Sequence, residues 1–157
     1  MEKSDLIELV SFKVGSSLLA APISKIQEII RYKGVVVIPQ SPSFVNGVIN
    51  LRGKIIPVID LQKKLGIDGD YTSDKERIVV CEIGGVRVGL KANEVLQVLR
   101  VSPESIEVPP EAVSEVKQHL LQGIVNKGET MLLILNLDTV LTDPEIDILR
   151  EAKQPAP

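Results

Sequence analysis

One cysteine, one histidine and no tryptophan stand among the 157 residues. A lone Cys81 excludes a disulfide framework and a cysteine-based zinc site, and it suits a reducing compartment. A lone His119 offers no cluster for a metal and a single candidate for a histidine-based triad. Aromatics are as scarce: Phe12, Tyr32, Phe44 and Tyr71 make up 3% of the chain, too few for base-stacking platforms. Eighteen Lys and Arg against 21 Asp and Glu leave a net charge of −3 with no basic block, so nucleic acid is not the expected partner. The longest apolar runs are broken by Arg52-Gly53-Lys54 and by Lys91, so direct membrane insertion is not expected either. The start, Met-Glu-Lys-Ser-Asp, is charged and lacks a signal-type apolar run behind it. What is there is 44% hydrophobic and 25% charged, the balance of a globular protein. The length fits one domain, or two very small units fused through a shared core.

Alternation at Val10, Phe12 and Val14 predicts a half-buried strand, turned at Gly15-Ser16-Ser17 into a short return strand. Pro22 then opens a stretch with Ile23, Ile26, Ile29 and Ile30 at helical spacing, which reads as a short amphipathic helix. Val35 to Ile38 reads as a strand ended by Pro39. Val48–Leu51 and Ile55–Ile59 flank Arg52-Gly53-Lys54 as a hairpin whose tip glycine takes positive φ, although Pro57 is unusual inside a strand. Leu61 to Leu65 is one or two helical turns, which Asp60 can cap and Gly66 closes. Residues 67–76 form a polar, Gly-broken surface loop and a candidate boundary.

The chain then starts again. At an offset of 69, residues 9–31 lie over 78–100 without a gap: Gly15 meets Gly84, Ile26 meets Val95, Ile30 meets Leu99. At an offset of 76, Gly47-Val48-Ile49-Asn50 lies over Gly123-Ile124-Val125-Asn126, and Asp60 over Asn136. The turn glycines slip by one, Gly53 against Gly128. Such a duplication predicts two half-size β units of about five short strands, closed into barrels that remove their edges. Residues 103–119 are a Pro-broken connection. Asp143 is the expected cap of a C-terminal helix, with Pro144 in its first turn and Ile146 and Leu149 as its apolar stripe, followed by a frayed tail at 154–157.

Little here carries chemistry. His119 sits in a polar stretch without a motif, and Cys81 alternates with apolar residues as a small buried hydrophobe. Gly84, Gly85 and Gly89 miss the dinucleotide spacing. Asp68 and Asp70 flank Gly69, but no Glu follows at calcium-loop spacing. Arg52, at a strand end beside a Gly, is either a solvated turn residue or a planar fork that fixes a loop or a partner carboxylate.

The segment Asn46 to Leu61 is very similar to the signature of the CheW-like family, the coupling domains of bacterial chemotaxis arrays. Its Gly-Val-Ile-Asn-Leu-Arg-Gly core stands at 47–53 and its Ile-Pro-Val-Ile-Asp-Leu strand at 56–61. Leu9 to Gly15, Ile26 to Ile29, Pro39, Phe44, Val45, Val88 to Leu90 and Leu132 to Leu137 extend the likeness over about residues 5–150. The family's usual Val-Asp pair is replaced here by Ala92-Asn93.

The resemblance implies a mainly β fold of two intertwined five-stranded SH3-like barrels. The CheW-like domain would span residues 5–143, with barrels at roughly 6–68 and 76–142 and a C-terminal helix at 144–153. It implies a non-enzymatic scaffold of the stand-alone type, with no catalytic residue, metal or cofactor. That scaffold would be cytoplasmic and recruited to membrane-associated receptor arrays. Its partners would be the regulatory domain of a CheA-type histidine kinase and the cytoplasmic tip of methyl-accepting chemoreceptors. The expected receptor groove takes Ile26, Ile30, Gly47, Asn50, Leu51 and Arg52, with Val95 and Leu99 opposite; Glu28, on the exposed helix face, would meet the kinase. A generic SH3-like peptide-binding module is the alternative outside chemotaxis, and neighbouring chemoreceptor and kinase genes discriminate it. A small enzyme using Asp60 or His119 would need a site that the sequence does not display.

Overall fold

In the computed structural model, residues 5–69, 74–108 and 120–153 are described. The 103–119 connection is therefore seen only in part, and His119 and the tail at 154–157 lie outside the described residues. The chain runs β1 (Ile7–Val14), β2 (Ser17–Pro22), β3 (Ile26–Arg31), β4 (Val45–Leu51), β5 (Lys54–Ile59), α1 (Leu61–Leu65), β6 (Arg77–Ile83), β7 (Val86–Ala92), β8 (Glu94–Val101), β9 (Ile106–Glu107), β10 (Leu121–Lys127), β11 (Thr130–Leu135) and α2 (Asp143–Lys153).

Two sheets form, in the orders β8-β1-β2-β11-β10-β9 and β3-β6-β7-β5-β4. The duplication maps one onto the other strand for strand. β1–β2 corresponds to β6–β7, β1–β8 to β6–β3, and β10–β11 to β4–β5, all antiparallel. The short parallel ladders, β2 to β11 and β7 to β5, also correspond. Even the irregularities repeat, with register shifts between Val45 and Gly47 and between Leu121 and Gly123. Neither sheet is confined to one half of the chain. The stretch between α1 and β6 therefore separates the sequence repeats, not the sheets, and the two units are intertwined. Exchange follows from the pairing: the hairpin β1–β2 of the first repeat lies between β8 and β11 of the second, and β6–β7 of the second lies between β3 and β5 of the first.

Alternate residues on each strand then serve different cores. Leu9, Ala20, Val101, Val125, Leu132 and Ile134 fill one sheet's interior. Ile56, Val58, Ile78 and Val80, with Ile30, Ile49 and Leu51 against them, fill the other. A larger shared cluster, including Phe12, Val79, Val88, Leu135 and Leu149, joins the two.

Three local expectations are corrected. The helix over 23–30 is a single 3-10 turn, Ile23–Lys25, followed by strand β3. Its isoleucines fit a helical period, but β-branched side chains favour a strand, and β6 supplies the ladder. The strand over 35–38 reduces to one bridge, in which Val36 and Val48 exchange both backbone hydrogen bonds at 2.9 Å. Because Val48 spends those groups on Val36, it faces Pro57 as a non-hydrogen-bonded pair, and the missing Pro57 N–H removes no bond from the hairpin. The cap of α2 is Thr142, not Asp143: the Glu145 carboxylate accepts from Thr142 N at 2.8 Å, and Thr142 Oγ1 from Glu145 N at 3.3 Å. Ile146 and Leu149 are buried under that helix as the stripe predicts. Asp60 caps α1 by accepting from Lys63 N at 3.2 Å, and Gly66 ends it at φ 67°.

Candidate functional site

The β4–β5 hairpin closes in two residues, Arg52 and Gly53, both at positive φ (50° and 86°). That is the turn whose twist suits a hairpin, and it favours glycine at both places. In the equivalent hairpin Gly128, at φ 64°, takes the first place. Here an arginine takes it, at a backbone cost of about 1–2 kcal/mol. Asn50 tightens the turn, its Oδ1 accepting from Gly53 N at 2.8 Å.

The Arg52 side chain crosses to β3. Its Nη2 donates to Glu28 Oε1, and its Nη1 to Oε2 at 3.3 Å, a two-pronged grip on one carboxylate. From β7, Arg87 Nη2 reaches Glu28 Oε1 at 3.3 Å, while its Nε donates to Gln27 at 2.8 Å. The hydrogen bond from Arg52 holds Glu28 below its ordinary pKa, against burial and helped by the charges of Arg52 and Arg87. Glu28 is therefore not on an exposed helix face. It lies on a strand, with 26% of its side chain accessible, beneath an arginine that keeps 66%.

The remaining candidates separate. Ile30, Asn50 and Leu51 line one open cavity of ≈ 660 Å³ between the edge strands β3 and β4. Gly47 is buried where the Val35-Val36 segment crosses β4: a Cβ there would stand 2.6 Å from Val36 O. Val95 and Leu99 do not face Ile26 and Ile30 across that cavity. They are their counterparts in the other repeat: Ile26 and Val95 both pack against the shared core, while Ile30 and Leu99 each pack into their own sheet's interior.

Reading β3 as a helix hides its outward residues. Ile29 is 40% exposed and pairs across the ladder with Val79 of the shared core. Its counterpart Val98 is 51% exposed and pairs with the buried Val10. These two equivalent aliphatics, with Leu96 two residues before Val98, are apolar surface on the two edge strands, and Ile23 is exposed in the turn before β3. The repeat at an offset of 69 pairs these two positions, but only the ladders to β6 and β1 show that they face outward. No signal in the sequence joins Arg87 to Glu28.

Cys81 is fully buried, and burial pushes its thiol up to about 12. Among the described residues no three of His, Cys, Asp and Glu gather as metal ligands, and no helix is long and apolar enough to cross a membrane.

The chain matches the CheW-like domain family over residues 8–145. It is 33% identical over 136 residues to the chemotaxis protein CheW of Thermotoga maritima, across 87% of this chain and 88% of that one. It is 32% identical over 142 residues to CheW of Klebsiella aerogenes, across 90% and 86%. The crystal structure of the scaffolding protein TtCheW from Thermoanaerobacter tengcongensis is 34% identical and superposes with a TM-score of 0.81, covering 87% of this chain and 88% of that one. With a match to nearly its whole length and the same mainly β architecture, this chain belongs to the CheW-like domain family.

Proposed function

We propose that this protein is a non-enzymatic chemotaxis adaptor that couples transmembrane chemoreceptors to a CheA-type histidine kinase. The observation that carries this reading is the near-complete correspondence, in sequence and fold, with CheW proteins, one of them described as a scaffolding protein. Two equivalent strand-exchanged units give such an adaptor two related faces, and their side chains make those faces different. Where one sheet carries Glu28, Arg87 and Arg52, the equivalent positions of the other hold Gln97, Leu18 and Gly128. The ionic cluster therefore distinguishes the two ends of the molecule.

In this reading Ile29 and Val98 bind the apolar side of a receptor helical tip. Arg52 gives a charge-assisted hydrogen bond beside it, released from or shared with Glu28. The protein would sit in the cytoplasm at receptor arrays and use no cofactor. A pull-down with the purified chain as bait tests it: a CheA regulatory domain and a receptor cytoplasmic fragment should both be retained, together. Retention of neither, with the chain folded, contradicts the assignment.

A further inference from the structure

The two repeats present equivalent outer surfaces, and among the described residues one of them lacks the cover that the other carries. On the sheet β3-β6-β7-β5-β4, helix α2 packs over β5 and β7. Its Ile146 reaches the β6–β7 turn, where a Cβ on Gly84 would stand 2.6 Å from Ile146 Cδ1. Arg150 Nη2 donates to the Gly84 carbonyl at 2.7 Å, and Leu149 is fully buried. On that sheet Val45, Val48 and Pro57 are buried.

On the other sheet the equivalents of those three residues are Leu121, Ile124 and Leu133, and all three are only half-buried. The turn glycine there is Gly15, and the side chain beside it is Ile67, whose Cγ2 would stand 2.8 Å from a Cβ. Ile67 thus takes the seat of Ile146. Past it, where α2 continues on the first sheet, lies an apolar cavity of ≈ 420 Å³ over β2, β10 and β11. Leu19, Leu65, Leu121, Ile124 and Leu133 line it, with Asp68 at the rim.

We infer that this groove is a docking site for an amphipathic helix supplied by a partner protein, seated as α2 is seated on the opposite sheet. The helix that the equivalent surface holds defines the chemistry of the occupant. It carries aliphatic side chains three residues apart, as Ile146 and Leu149 are, and a basic residue next to the second, as Arg150 is. The basic residue meets the Gly15 carbonyl and the Asp68 carboxylate. The groove is separate from the Arg52–Glu28 cluster and from Ile29 and Val98, so it adds a contact to the coupling role and does not rest on it.

A synthetic peptide of residues 142–153 is the probe, titrated into the full-length protein with labelled Ile, Leu and Val methyls. Neither kinase nor receptor is present, so failure here leaves the coupling assignment where it stands. Saturable shifts should appear at Leu19, Leu121, Ile124 and Leu133. Leu133→Lys should weaken the peptide at least ten-fold at an unchanged melting temperature, with Ile124→Ser as the second variant should Leu133→Lys not fold. A peptide carrying Leu149→Lys should not bind. Shifts centred on Val88 and Ile59 instead would mean that the peptide displaces α2 from its own sheet, and would overturn the proposal. So would binding seen only after Val113 and Val116 are replaced by Ser, which assigns the groove to this chain's own residues 109–119. A concentration-dependent dimer abolished by Leu133→Lys would assign it to a second copy. Absence of saturable binding overturns it outright.

Discussion

The Arg52 guanidinium grips both carboxylate oxygens of Glu28, a residue 24 positions earlier on another strand, from a backbone conformation that arginine adopts at a cost. Turn and ion pair can be separated by experiment. Arg52→Gly relieves the positive φ and loses the pair; Arg52→Ala loses the pair and keeps the strain. Arg52→Gly should therefore be more stable than Arg52→Ala by about 1 kcal/mol in chemical denaturation. Equal stability would mean that the turn relaxes when the side chain is removed.

For binding, the same two variants should behave alike. An exposed turn arginine normally changes stability by under about 0.5 kcal/mol. A charge-assisted hydrogen bond at a contact contributes roughly 1.5–3 kcal/mol, about ten-fold or more in affinity. Arg52→Ala should keep its melting temperature within a few degrees and weaken partner binding about ten-fold by titration calorimetry. Unchanged affinity returns Arg52 to the role of a plain turn residue, and unfolding makes it a structural clamp.

Much of this architecture was legible in the sequence. The repeat at offsets of 69 and 76 predicts the strand-for-strand correspondence because each strand keeps its apolar face in both copies. Asp60 and Gly66 announced their caps by residue type alone. The failure at Ile23 to Ile30 has a physical source: the four isoleucines fit a period of 3.6, whereas a period of two splits them, Ile26 and Ile30 inward and Ile29 outward. Only the ladder to β6, distant in sequence, decides between them. That error moved the expected exposed surface from Ile29 to its neighbours and placed Glu28 in solvent. The exchange of strands between sheets was legible only through the family resemblance, since local patterning does not encode which partner an edge strand selects.

Acid should loosen the tie between α1 and α2. Burial works against ionisation of Glu145, but hydrogen bonds from Lys64, whose Nζ lies 2.7 Å from both oxygens, and from Thr142 outweigh it and lower its pKa. A carboxylate with a lowered folded-state pKa contributes stability that is present above its unfolded value and is lost as pH falls through the folded one. Glu28 follows the same sign. Wild type should lose its stability advantage over Glu145→Gln as pH drops below the ordinary carboxylate range. An advantage constant with pH would show that Glu145 acts by packing alone.

Two glycines in equivalent places should fail in the same way. A Cβ on Gly47 would stand 2.6 Å from Val36 O, and one on Gly123 2.4 Å from Ile106 Cγ2. Each glycine lets a crossing segment lie against the edge of its sheet, at the Val36–Val48 bridge and at β9. Gly47→Ala and Gly123→Ala should each destabilise by about 1–3 kcal/mol, as overpacking does. The check is thermal unfolding followed by far-ultraviolet circular dichroism. A neutral Gly47→Ala that nonetheless loses binding would move Gly47 from a packing role to a contact.

Cosedimentation of a CheA-type kinase with receptor-bearing vesicles, with and without this protein, tests the coupling role most directly. Burial of one aliphatic side chain contributes roughly 1.5–3 kcal/mol, so placing a charge at Ile29 or Val98 should weaken the receptor side at least ten-fold while the fold survives. The account predicts kinase in the vesicle pellet only when the wild-type chain is present, and kinase left in the supernatant with Ile29→Asp or Val98→Asp. Kinase that pellets equally with and without the chain, or equally with the wild type and both variants, would contradict it.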